Sequence, residues 1–92
     1  MKTLADCRAE IDKIDDEILE LLSRRYEVIQ EVVEVKRASG EPVHQPQREK
    51  EILERLKSQK KLDDAAVDSI FSGIITVFRG LEQIRIDNSD SK

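Results

Sequence analysis

Arg25 interrupts a row of apolar side chains. Steps of three and four residues from Leu4 reach Cys7, Ile11, Ile14, Ile18, Leu21, Arg25, Val28, Val32 and Val35, and nine of these ten positions are apolar. A guanidinium cannot be neutralised, so within a packing row it needs an anion. That anion is either an acid on a neighbouring helix, giving a structural ion pair, or a ligand. Lys36 stands about three turns beyond Arg25 on nearly the same side, so both side chains can converge on one small anion. It belongs to a flank repeating every seven residues, Arg8, Asp15, Leu22, Ile29 and Lys36. Arg8 lies roughly 25 Å from Arg25 along the axis, too far to share a small ligand within one straight helix. A second, antiparallel copy would bring it there. Singly, Arg8 and Lys36 also fit cations snorkelling at the margin of an apolar stripe.

Two carboxylates break other apolar rows. Glu49 follows Arg48 at the start of a second amphipathic segment, in line with Ile52, Leu53 and Leu56. It fits a ligand contact or an acid favouring a positive helix N-terminus. Glu82 continues the row Phe71, Ile75 and Phe78. It is either a wet residue at a helix margin or a buried functional acid. His44 is the only histidine, which leaves a His-paired metal site or a nucleophilic triad unsupported, and it reads as a surface residue. Cys7 reads as a small hydrophobe on the seam. Gly40, Gly73 and Gly80 are too scattered for a phosphate loop. A mostly cationic set with one or two carboxyls suggests binding of a multiply anionic small molecule. It also suggests a reaction needing only shape and charge.

Helices must position these groups. Charged residues make up 39% of the 92 and aromatics 3%, a composition suited to exposed helices. The expected fold is all-α, one domain over 1–92 with three helices: long, short and medium. Thr3 and Asp6 form a capping box for the first helix, which runs unbroken until Gly40. A loop over 40–45 precedes a helix from Pro46 to about Gln59. Asp63 or Asp64 caps a third helix reaching about Ile86, and the polar tail 87–92 is expected to be disordered. Gly73 and Gly80 lie on nearly one face of that helix, which predicts close helix approach. The segment Leu4 to Lys36 would be roughly 50 Å long, more than a compact domain of this size can cover. A symmetric dimer is expected to bury the stripe. The net charge of −4 and the lack of a basic block argue against nucleic acid. No apolar run suits a signal peptide or a bilayer span, so the expected location is cytoplasmic, without membrane partners.

The chain resembles the all-helical (AroQ-type) chorismate mutases over about residues 4 to 86. The matching pieces are R-x-x-I-D-x-I-D from Arg8 to Asp15, L-L-S-R-R from Leu21 to Arg25 and V-x-x-V-K ending at Lys36. P-V from Pro42, R-E-K-E-I-L-E-R-L from Arg48 to Leu56 and F-x-x-I-I from Phe71 to Ile75 follow in order. The resemblance implies an intertwined homodimer with two sites, each using both chains. It implies a Claisen rearrangement of chorismate to prephenate, a step towards phenylalanine and tyrosine, without a cofactor, metal or covalent intermediate. Arg25 of the host chain and Arg8 of the other would hold the two carboxylates. Lys36 would contact a carboxylate and the ether oxygen, Arg48 would line the site, and Glu49 would accept from the ring hydroxyl. Lys36, Glu82 and Arg25 would be the catalytic residues.

Three positions depart from the family pattern. Gln45 stands where many members have Asp, which leaves one hydroxyl contact to the backbone. A small polar residue is usual near Phe78, and its absence here leaves one carboxylate contact missing. Glu82 stands where the ether-oxygen donor is commonly Gln. Gln83 is adjacent but points about 100° away. A protonated Glu82 would donate to the ether oxygen, and an ionised one would oppose the charge growing there. Two other functions fit the same features. Isochorismate-pyruvate lyases share the fold but lack the carboxylate at Glu49. A non-catalytic helical dimerisation or regulatory module explains the seam but gives Arg25 no purpose.

Overall fold

The computed structural model describes residues 1–90. It is all-α, with α1 over Leu4–Ser39, α2 over Pro46–Ser58 and α3 over Asp64–Asp90. Each boundary has a local cause. The Thr3 hydroxyl accepts from the Asp6 N–H at 3.1 Å, and the Asp6 carboxylate accepts from the Thr3 N–H at 3.0 Å. These bonds satisfy two donors that the first turn of α1 leaves free. Donation from the Thr3 N–H, and then from its hydroxyl, holds the Asp6 carboxyl below its ordinary value. Gly40 ends α1 in the left-handed region, at φ 76°, and its N–H donates to the Lys36 carbonyl at 2.8 Å. That conformation costs glycine nothing and most other residues a steric clash. Pro46 opens α2, where a missing N–H is harmless. Helix α3 continues four residues past the expected end at Ile86 into the polar tail, and residues 91 and 92 lie outside the described residues.

α3 packs against both α1 and α2. The core is small: Val33 of α1 and Val67, Ile75 and Phe78 of α3 are buried. Lys57 of α2 donates to Asp68 of α3 at 2.8 Å, and this bond raises the lysine above its ordinary value. The chain measures 58 × 29 × 15 Å. A helix with side chains is about 10–12 Å across, so 15 Å is little more than one layer of helices.

A single layer leaves apolar surface uncovered. Leu4, Ile11, Ile14, Ile18 and Leu21 on the first half of α1 are all exposed. So are Ile70, Val77 and Ile84 on the outer side of α3. Gly73 and Gly80 lie between these three, and the close approach expected there does not occur within the chain. A Cβ on either glycine would meet nothing within 4 Å. No helix among the described residues is long and apolar enough to cross a membrane.

Candidate functional site

The three helices and the α1–α2 loop enclose a cavity of about 430 Å³. α1 contributes Arg25, Val28, Val32 and Lys36, and α2 contributes Arg48, Glu49 and Ile52. α3 closes it with Ile75, Phe78, Arg79 and Glu82, and Val43 and Gln45 come from the loop. The register explains the convergence. Residues 25, 32 and 36 share one side of α1, and 75, 78, 79 and 82 share one side of α3. The cavity lies where these two faces meet above the start of α2.

Four cations face two carboxylates, and two of the cations are already paired. Lys36 Nζ donates to Glu82 Oε1 at 2.9 Å and to the Val43 carbonyl at 3.3 Å. Glu82 is buried, only 7% exposed, so the wet-margin alternative does not apply. Arg79 Nη1 donates to both Glu49 oxygens, at 2.8 and 2.7 Å, and His44 Nε2 stands 3.8 Å from the same carboxylate. Glu49 also lies in the first turn of α2, where the helix dipole favours a negative charge.

Arg25 and Arg48 remain without an ion pair among the described residues. Arg48 is exposed at the cavity wall. Arg25 is half-buried, and its Nη1 is fully buried with no hydrogen-bond partner. Among the described residues no acid of a neighbouring helix takes its protons, so the structural ion pair is not found there. Its Cζ lies 4.5 Å from the centre of the Phe78 ring instead. Burial holds the guanidinium below its ordinary value; the Glu82 carboxylate opposes that shift and the Arg48 charge adds to it. An arginine so placed stays cationic. The cavity thus has two surplus positive charges, both on guanidiniums, and two neutralised pairs. That balance suits a small dianion with two planar, fork-accepting groups.

Of the residues singled out in the sequence, Arg25, Lys36, Gln45, Arg48, Glu49, Phe78 and Glu82 all line this cavity. Gln45 turns its side-chain amide towards the Pro42 carbonyl, at 3.1 Å, and Glu41, at 3.2 Å. Arg8 is exposed and far along α1, outside the cavity of its own chain. Arg79 was missed. It stands four residues after Ile75, and that spacing on a helix was the one signal available.

Comparison with known proteins identifies the family. Residues 7–83 match the family described as chorismate mutase type II. The chain is 35% identical over 89 residues to the bifunctional chorismate mutase/prephenate dehydratase of Aquifex aeolicus, covering 90% of this chain and 25% of that protein. It is 30% identical over 95 residues to the chorismate mutase of Methanocaldococcus jannaschii, covering 100% of this chain and 96% of that one. The T-protein of Haemophilus influenzae is 39% identical over 62 residues, 65% of this chain and 16% of the relative. The chain therefore spans a quarter of one relative and nearly the whole of another. No solved structure is a significant match. With a family match over most of its length and a relative aligned along all of it, the chain belongs to the chorismate mutase type II family.

Proposed function

We propose that this cavity binds chorismate and rearranges it to prephenate, a cytoplasmic step in aromatic amino-acid synthesis. The observation that carries the proposal is Arg25, a guanidinium with a buried, unbonded Nη1 at the wall of a cation-rich cavity. Chorismate carries two carboxylates, and the cavity has two guanidiniums without internal partners. The rearrangement is one pericyclic step: the ether C–O bond breaks as a C–C bond forms, with no external nucleophile. The site needs to hold the compact diaxial conformer and to stabilise negative charge growing on the ether oxygen. Arg25 holds one carboxylate. Lys36 reaches the other and the ether oxygen. Glu82 shares that oxygen, Arg48 lines the entrance, and Glu49 accepts from the ring hydroxyl. Glu49 favours the mutase over the isochorismate lyase.

The working unit is a homodimer in which Arg8 of one copy completes the site of the other. The uncovered row on α1, the uncovered face of α3 and the 15 Å thickness support a second layer made by a second copy. Mixing two crippled variants tests the sharing. Arg8→Ala and Arg25→Leu proteins should each be nearly inactive. After unfolding together and refolding in equal amounts, half the dimers are mixed. Each mixed dimer has one site with both arginines intact, so about a quarter of wild-type activity should return. No recovery, in a mixture shown to contain mixed dimers, would place each site within one chain.

Arg79 orients Glu49 from outside the reaction. The pair is partly exposed, so its contribution is modest. Arg79→Ala should raise KM for chorismate roughly three- to tenfold and leave kcat within about twofold. A comparable fall in kcat with no change in KM would show that Arg79 contacts the reacting atoms.

A further inference from the structure

Arg25 lines the cavity wall, its Nη1 with no hydrogen-bond partner among the described residues. A guanidinium has five N–H groups in a fixed fork. If a carboxylate of the protein held it, two of those donors would be engaged and substrate would have to displace them. If nothing held it, binding would have to order a long side chain. The structure has a third arrangement. The Phe78 ring, 7% exposed, lies with its centre 4.5 Å from Arg25 Cζ. The negative face of the ring attracts the cation without accepting a conventional hydrogen bond, and the attraction is larger where water is excluded. Tyr26, the next residue on α1, packs against the same ring at 6.4 Å between centres and a tilt of 55°. Consecutive residues of α1 thus grip one aromatic side chain of α3.

We propose that Phe78 is a positioning residue: its aromatic face holds the Arg25 guanidinium in place while leaving the N–H groups free for a substrate carboxylate. This rests on the proposed activity only for the identity of that carboxylate. The Arg25 side chain's freedom is then restricted before substrate arrives, which lowers the ordering cost of binding.

Two variants separate positioning from simple packing. Phe78→Leu keeps an apolar side chain and removes the ring. A trifluorinated phenylalanine in place of Phe78 keeps ring and shape while weakening the negative face. The first measurement needs no ligand. In the NMR spectrum of the unliganded wild type, the Arg25 Nε–H should be shifted by the ring and guanidinium rotation should be slow. Both signatures should be lost in Phe78→Leu, and faster rotation should appear in the fluorinated protein. The second measurement is prephenate binding by calorimetry. Phe78→Leu should weaken it about three- to thirtyfold, and the fluorinated protein should fall between that and wild type. Equal rotation and equal binding in wild type and fluorinated protein would overturn the proposal. A wild type that binds no prephenate would overturn the proposed activity, and the guanidinium spectrum would still decide the role of Phe78.

Discussion

Replacing Arg25 with leucine is expected to lower kcat/KM for chorismate by about 10²–10³ or more while leaving a folded protein of equal or higher melting temperature. The two effects have one origin. In the folded protein Arg25 Nη1 is buried without a hydrogen bond, which opposes folding. Burial also holds the guanidinium below its ordinary value, with the Glu82 carboxylate as the counterweight. Phe78 offsets part of this cost. Leucine restores the apolar row of α1, has about the same helix propensity as arginine and leaves no charge to desolvate. What it removes is an anchor for a substrate carboxylate in a cavity whose other central cation, Lys36, is paired to Glu82. Circular dichroism, a thermal melt and a chorismate assay check the prediction together. A variant that unfolds would make Arg25 structural. A folded variant with full activity would remove it from the site.

Glu82→Gln is expected to change the shape of the pH profile. Lys36 donates to Glu82 Oε1 at 2.9 Å, so the two groups assigned to the ether oxygen stand together. As the C–O bond breaks, negative charge grows on that oxygen. A protonated carboxyl donates to it, and an ionised one repels it. A glutamine donates at every pH, so the variant should be flat between acid and neutral pH and faster than wild type at neutral pH. The substitution also removes the ion-pair partner of Lys36, so the melting temperature should fall while the profile flattens. Two flat and equal profiles would show that the proton on Glu82 has no part in the reaction.

Some features were legible in the sequence because their causes are local. Thr3 with Asp6, Gly40 and Pro46 each mark a helix boundary through backbone chemistry within a few residues. Arg25, Lys36, Glu49 and Glu82 were conspicuous because each breaks or borders an apolar row at helical spacing, and all four line the cavity. Arg79 was not conspicuous. A charge beside Phe78 on a polar-flanked helix looks solvated, and its partner Glu49 lies 30 residues earlier on a different helix. The stacking of Arg25 on Phe78 was hidden for the same reason, since spacing along one helix does not reveal which side chain of another will face it. The end of α3 was placed at its last apolar residue, and the polar turn beyond Ile86 stays helical without an apolar face to signal it. Gly73 and Gly80 suggested close packing that the single chain does not contain, and they lie instead within the apolar face of α3 that the chain leaves open.

We propose that a cavity with two guanidiniums unpaired among the described residues and a Lys36–Glu82 pair turns chorismate into prephenate without any added group. The most direct test is to follow chorismate absorbance with the purified protein from acid to neutral pH, identify the product, and repeat the assay with isochorismate. Chorismate should be lost with prephenate as the product, and isochorismate should release no pyruvate. Chorismate left unchanged across the whole range, or pyruvate formed from isochorismate in its place, would contradict the proposal.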